Sequence, residues 1–581
     1  MSNNREISQP ASTDLPTWRI MIDGVEISGE IHLMSILVSK SVNKIPRARL
    51  EFLDGDVATE SFVLSDADFF LPGNEIEILA GYHSDESSIF KGKVTAHGLK
   101  SRAGKPSKLT VDCCDDAIMM TLSRKNAYFQ ELSDSDIFET IITAYDLDID
   151  IPSTDLIHPE MVQYNVTDWD FLLERAEANG RLIIVDDGVV AVKQPDTSAN
   201  AELSLILGST MLEFEAQIDA RYQLPDVTGR SWHFSDQAIA AESGTAPEMT
   251  ESGNLSGSDL ASALGQTTTA LGHTGFRSDQ EMQAWADSRL SRSRLAKIIG
   301  RVKCQGYAAI KPGQMMELRG VGERFNGNVL VTAIRHQFNV NNWETDIQFG
   351  LSPQRLSQQN DVPDTPAAGL VPPVHGLHIG VVTQLEDPEG EDRVRVRMPM
   401  VDPDDEGIWA RIASLDAGDT RGAFFRPEID DEVVLGFLND DPRDPIILGM
   451  LNSSVKPAPI SASDDNPEKG FVTRSGMKLI FDDDAISLNI ETPKGNKINL
   501  SDDEGSIVLE DENGNKVEMN GDGITIESRG NISIRADQDV NIEGSNVILK
   551  ANLEFKAEGS AGAELTSGGV AKLTGTQVHI N

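Results

Sequence analysis

Ten histidines, three cysteines and 93 Asp plus Glu are the residues of this 581-residue chain from which a catalytic or metal-binding site would be built. Their spacing builds little. Gly24-Val25-Glu26-Ile27-Ser28-Gly29-Glu30 has the two glycines of a phosphate loop but Glu where a lysine must reach phosphate, so it reads as a chance match. Neither an HExxH zinc helix nor a GxSxG nucleophile elbow occurs. His233, His273 and His336 stand alone and read as core or surface histidines. Cys113, Cys114 and Cys304 have neither ligand spacing nor a disulfide framework, which suits synthesis in a reducing cytoplasm. The acidic turns Asp482-Asp483-Asp484 and Asp502-Asp503-Glu504 gather oxygens as a calcium site does. They follow neither the EF-hand nor the GGxGxD pattern and read as solvated turns. So many carboxylates guarantee chance pairs of the kind glycoside cleavage uses, and no pair is singled out. No catalytic residue, cofactor or resident metal is expected.

The chain is written instead as strands. From Gly521 to Asn581, apolar pairs two residues apart recur about every eight residues: Ile524 with Ile526, Ile532 with Ile534, Val540 with Ile542, and Val547 with Leu549. Alternation sends both members of a pair to one sheet face. Gly, Asn, Asp and Ser between them supply corners, so each unit reads as one short strand and one turn. A fixed short period predicts a stacked β-solenoid or prism, long, stiff and narrow. From Met477 the segments MKLIF, AISLNI, KINL, SIVLE and KVEM are divided by DDD, PKGN, DDEG and DENGN, with Asn513-Gly514 a hairpin signal.

Ahead of this lies a β-rich region with a few helices. Trp18 to Val111 alternates strand-like segments with Gly- and Asp-rich turns. One helix is expected to begin near Asp134, with Ile137, Phe138, Ile141, Ile142 and Tyr145 on one face. A second opens at Thr167 and Asp170, carries Trp169, Phe171, Leu172, Leu173 and Ala176, and stops at Asn179-Gly180. A third opens at Ser278 with Glu281 and runs to about Ile299. Residues 238–275 lack an apolar period and read as a flexible insertion. Strands at MMELRGVG, NVLVTAIRHQF and TDIQFG suggest a second domain like the first. The expected organisation is a tail at 1–17, a two-domain region at 18–351, a proline-rich linker at 352–375, a five-stranded OB-type barrel at 376–453, a connector at 454–476 and a β-prism at 477–581.

Lys plus Arg number 50, so the formal net charge is −43, which argues against nucleic acid and anionic membrane as partners held by charge. The barrel's VDPDDE and NDDPRDP runs likewise argue against single-stranded nucleic acid in its groove. The amino terminus has no apolar signal segment, and no run approaches the ~18 apolar residues of a membrane span. Synthesis in the cytoplasm without a signal peptide is the expectation.

The order of these pieces resembles the VgrG-type spike of contractile injection systems, a phage baseplate hub fused to its needle. In the hub part the likeness rests on Tyr164, Asp168 to Leu172, Arg175-Ala176 and Gly180, then on Pro312-Gly313, Gly320-Val321-Gly322, Phe325, Gly327 and His336. In the barrel it rests on Pro427, Asp431-Glu432-Val433, Asp441-Pro442, Pro445, Gly449 and Asn452, with Asp430 a departure where many relatives have Gly. The phrases VNKIPRARLEFLDGD and DADFFLPGNEIEILAGY resemble the spike of extracellular, phage-tail-like particles more than the membrane-anchored version.

The resemblance implies a mainly β fold with α+β hub domains and a homotrimer whose three tails wind into a triple-stranded prism. It implies partners in an inner tube protein, baseplate components and the target cell envelope, which the spike punctures as the sheath contracts, and a particle that acts outside the producing cell or inside the target. Three chains packed around an axis would cover the apolar pairs and remove free strand edges. The segment Val578-His579-Ile580-Asn581 is expected to form a blunt end capped by a PAAR-type protein, the alternative being a metal held by three copies of His579. The 453–475 stretch is too short for a folded lysozyme domain between barrel and prism. The rival function is a polysaccharide-degrading β-solenoid of the tailspike kind, but Phe555 is the only aromatic after Gly521 to stack on sugar. A left-handed single-chain solenoid would need a six-residue period.

Overall fold

The computed structural model describes residues 15–27, 31–56, 59–103, 105–233, 235–339, 342–355 and 366–580. They divide into two compact units, Met1–Val374 with Asn439–Asp441, and His375–Leu438 with Pro442–Asn581.

The first unit is built on a 13-stranded sheet that runs through both of its β-rich halves. Strand Leu33–Ser41 pairs with Lys44–Leu53 on one side and with Gly327–Asn339 on the other, so the two halves share hydrogen bonds. Alternation decides the faces: Ala48, Leu50 and Phe52 are buried while Arg47 and Arg49, on either side of Ala48, are exposed. One core gathers Ile36, Leu50, Phe52, Phe90, Leu109 and Trp343, and the other gathers Leu205, Val302, Leu318, Val331 and Phe349. Trp343 comes from the later half yet packs in the earlier core, its ring 5.4 Å from Tyr82.

Helix α1, Asp134–Thr143, begins at a capping box between Ser133 and Asp136 and buries Ile137, Phe138, Ile141 and Ile142. Helix α2, Asp168–Ala178, is capped by Thr167, whose hydroxyl accepts the Asp170 amide at 3.1 Å. Gly180 follows with φ 66°, the left-handed turn that ends such a helix. Residues 238–275 hold more structure than expected. Strands Ala238–Ser243 and Thr269–His273 flank Val227–His233 in a small sheet, and α3, Gly257–Ala263, has its own capping box at Ser256. Their apolar content is mostly alanine, which leaves a weak period to read. Helix α4, Asp279–Leu295, stops four residues before Ile299. Ile298 and Ile299 instead pair with Ile218 and Gln217, where β-branched side chains fit the sheet.

The second unit opens with a closed five-stranded barrel of His378–Gln384, Val394–Arg397, Ile408–Ile412, Pro445–Met450 and Glu432–Phe437, in that order around the ring. Val382, Val394, Val396, Ala410, Val433, Leu435 and Ile447 fill it. A seven-stranded antiparallel meander follows, from Glu468–Val472 to Gly523–Glu527. Residues 529–580 form no paired strand within the chain, and all of them are exposed. The ladder expected over 521–581 is therefore a paired strand only at Gly523–Glu527. A strand is defined by its partner, and one copy of this chain offers none beyond that point.

Candidate trimerisation surface

The meander is assembled from five-residue strands joined by turns in which the acidic residues close the backbone. Asp482 Oδ1 accepts the amides of Asp484 and Ala485 at 3.0 and 3.1 Å. Asp511 Oδ1 accepts those of Asn513 and Asn515 at 2.9 and 2.8 Å, while Oδ2 accepts Asn515 Nδ2 at 2.7 Å. Those hydrogen bonds from Asn515 and Asn513 pull the Asp511 carboxyl down to about 2. Gly514, at φ 80°, makes the corner that the Asn-Gly pair predicts. The turns at Asp482 and Asp511 are thus Asx turns that hold strand register, while Ser501 Oγ accepts the Glu504 amide at 3.0 Å in the DDEG turn.

That register builds a one-sided sheet. Leu479 lies opposite Ile490, Ile490 opposite Ile498, Ile498 opposite Leu509, Leu509 opposite Val517 and Val517 opposite Ile526. A parallel row runs from Phe481 through Leu488, Leu500, Ile507 and Met519 to Ile524. All twelve therefore share one face. The other face carries cross-strand ion pairs, Lys478 with Glu491 at 3.3 Å and Lys497 with Glu510 at 2.9 Å, and beside them Lys516 with Glu518 at 2.6 Å.

In the single chain this apolar face stays partly open. Within 468–527 only Ile480 and Ser501 are buried. Ile490, Ile498, Leu500, Ile507, Leu509 and Met519 each keep 37–40% of their surface exposed. A single sheet layer has no core of its own, so this area of apolar surface marks an interface.

The eight residues singled out by the repeat, Ile524, Ile526, Ile532, Ile534, Val540, Ile542, Val547 and Leu549, are 51–72% exposed in the single chain. Ile524 and Ile526 lie on the meander's apolar face, and the other six follow its last strand. Val578, His579 and Ile580 are also exposed, and Asn581 lies outside the described residues. Among the described residues no group of three or more His, Cys, Asp or Glu converges as a metal site. The ten positions from Leu479 to Met519 were not singled out by the repeat. Their signal is the apolar alternation in KLIF, ISLNI, KINL, IVL and VEM, which is shorter and less regular.

The hub-like motif residues have structural work. Asp134, fully buried, accepts Arg175 Nε and Nη2 at 2.8 and 2.9 Å, Asn179 Nδ2 at 2.9 Å, and sits 2.8 Å from His158 Nε2. Burial alone would raise its carboxyl, but His158, Arg175 and Asn179 outweigh that and hold it far below the usual range. Arg175 thereby ties α2 to α1. A side chain at Gly313 would meet Ile184, and Phe325 packs edge-on to Phe214 at 6.2 Å. His336 is buried with Nδ1 3.0 Å from Thr345 Oγ1, and burial, then the nearby Lys40, lowers it to about 3. Tyr164 is the exception, 80% exposed on its hairpin. In the barrel, Asp430 has φ 70°, which explains why Gly suits that turn.

A meander with one apolar face behind an OB-type barrel and a hub-like sheet defines a trimeric baseplate spike or hub protein of phage tails or type VI-like injection systems. Three family models match in chain order. They are the Alg8 N-terminal domain over residues 12–339, the type VI secretion system/phage-baseplate injector OB domain over 378–451, and the phage baseplate V C-terminal trimerisation domain over 487–581. The first spans more than half of the chain, and with the other two it shows that the chain belongs to the VgrG-like, phage baseplate V spike family. Solved structures of distant likeness include the 43 kDa tail protein of prophage MuSo2 from Shewanella oneidensis, at 12% identity and TM-score 0.44, covering 58% of this chain and 98% of that one. A type VI secretion component of Escherichia coli is 14% identical at TM-score 0.38, covering 74% and 99%. A chain of a PdpA-VgrG complex in its lidless form is 10% identical at TM-score 0.38, covering 89% and 98%. The family is structural and generally non-enzymatic. No helix among the described residues is long and apolar enough to cross a membrane.

Proposed function

We propose that this protein is the central spike of a contractile injection particle, joining the inner tube to the baseplate and driven through the target envelope when the sheath contracts. The observation that carries the reading is the apolar face from Leu479 to Ile526 on a sheet with no second layer. Three copies close these faces against one another, and the exposed pairs from Ile532 to Leu549 continue the same packing between chains. Such a body resists unfolding because each strand is held by neighbouring chains. Sheath contraction supplies the energy, so the spike needs stiffness and no active site.

The further partners in this reading are the tube protein, other baseplate components and a PAAR-type tip protein that covers Val578 and Ile580, which are 48% and 86% exposed. Cys113, Cys114 and Cys304, all buried free thiols, support synthesis in a reducing compartment. The family's generally non-enzymatic character goes against the polysaccharide-degrading alternative. The test is resistance of the oligomer to strong detergent: the full-length protein is expected to run as a trimer in unheated dodecyl sulfate and as a monomer after boiling. A monomer band without heating counts against an intertwined needle.

A further inference from the structure

The apolar face of the meander extends one strand beyond Leu479. Phe471, on strand Glu468–Val472, stands opposite Leu479 and continues its row. The Phe471 ring stacks on that of Phe425, with centroids 5.1 Å apart and planes 11° from parallel. Phe425 lies in the barrel segment between strands Ile408–Ile412 and Glu432–Phe437, so the row passes from the meander onto the barrel within the second unit. Arg474 Nη1 donates to Glu428 Oε2 at 2.7 Å and joins the same two segments again. Ahead of Phe425 the backbone closes into a hairpin. Ala417-Gly418 pairs with Arg421-Gly422, the Asp416 carbonyl accepts the Ala423 amide at 2.9 Å, and Ser414 Oγ donates to the Ala423 carbonyl. Gly422, at φ 134°, lets the arms meet, since a Cβ there would lie 2.3 Å from the Asp416 carbonyl oxygen.

This ordered hairpin holds two large apolar side chains out of the fold: Leu415 is 91% and Phe424 80% exposed in the single chain. Side chains presented in this way at the rim of an apolar interface mark a contact. Continuity chooses its occupant. Other copies close the meander rows, and Phe425 continues one of those rows, so its neighbours Phe424 and Leu415 meet another copy too. In a three-fold assembly each copy presents the same residues at the same level along the axis. A lipid surface is the poorer fit, because the hairpin carries Asp416 and Asp419 against the one Arg421. We propose that hairpin 414–425 is a clasp between chains, seating Phe424 and Leu415 on the neighbouring copy beside its barrel and first meander strands. Thrust on one barrel is then carried by all three chains. The inference rests on the trimeric reading and extends it to residues outside the 487–581 span matched by the trimerisation domain.

Full-length Phe424→Cys tests this, because Cys113, Cys114 and Cys304 are all buried and leave the new thiol as the accessible one. Its reaction with a charged maleimide is timed in the native protein and in the same protein unfolded by guanidinium, and wild type is sized in parallel by light scattering. A second full-length version carries the photo-crosslinking analogue benzoylphenylalanine in place of Phe424. A trimer is expected in which the thiol at 424 reacts at least about tenfold more slowly than in the unfolded chain, since a covered group reacts only on local opening. Illumination of the second version is expected to join two chains, with the link mapping to the neighbour's barrel or first meander strands. A trimer with less protection than that leaves the hairpin open to another protein or a lipid surface and overturns the clasp. Links confined to one chain overturn it as well. Absence of a trimer in wild type instead refutes the trimeric reading itself, which keeps the two failures apart.

Discussion

Leu500 sits in the middle of the apolar face, between Leu488 and Ile507 on the neighbouring strands, with 40% of its surface exposed in the single chain. Fully burying a leucine contributes about 1.5–3 kcal/mol, so covering its remaining two-fifths contributes roughly 1 kcal/mol per chain and roughly 3 kcal/mol per trimer. Leu500→Asp reverses the sign. Three carboxylates then enter a closing apolar interface, each with a desolvation cost of several kcal/mol, so the assembly loses on the order of 10 kcal/mol. Asn489→Asp, on the ion-paired face, adds the same charge and leaves assembly intact. Light scattering coupled to size exclusion reads the result directly, since one chain is 63.2 kDa and the complex three times that. Leu500→Asp is expected as monomer or aggregate, and wild type and Asn489→Asp as trimer. A Leu500→Asp trimer with unchanged melting temperature refutes the assignment of this face.

His336 makes the first unit sensitive to acid. Its folded value of about 3 lies below the ordinary 6.5, so between those limits the unfolded chain binds the extra proton. Stability from this residue is complete above about pH 6.5 and falls by roughly 5 kcal/mol towards pH 3, and denaturant titrations should show a shallower acid loss in His336→Gln. Asp134→Asn leaves Arg175 buried without its carboxylate and is expected to cost about 3–5 kcal/mol in the same assay. Asp430→Gly relieves a left-handed backbone and should stabilise the barrel by up to about 1 kcal/mol, read as a raised melting temperature, while Asp430→Val should lower it. An unchanged melting temperature in both would show that the turn carries no strain.

The sequence made the barrel and the helices legible for different reasons. All five barrel strands announce themselves through alternating Val, Ile and Leu, α1 through its 3.6-residue stripe, and α2 through the Thr167 cap ahead of one. The sheet shared by the two hub halves was hidden, because the pairing of Leu33–Ser41 with Gly327–Asn339 joins residues almost three hundred positions apart and leaves no local trace. Strand Ile298–Gln305 was missed and its first two residues were assigned to the helix, because α4's capping box gives its start and nothing as strong gives its end. At the trimerisation surface the periodic pairs after Gly521 stood out, but the face begins forty residues earlier. There Lys478, Lys497 and Lys516 alternate with the apolar residues and disguise a one-sided sheet as ordinary polar hairpins.

The central claim is that strands after Glu527 find their partners in other copies of the chain. A cryo-electron microscopy reconstruction of the purified full-length protein tests it most directly at Ile532, Ile534, Val540, Ile542, Val547 and Leu549. Three-fold density is expected in which these side chains point to a shared interior and each backbone pairs with the other two chains. Density for a single chain folding on itself there, or three tails whose apolar residues face solvent, would contradict it.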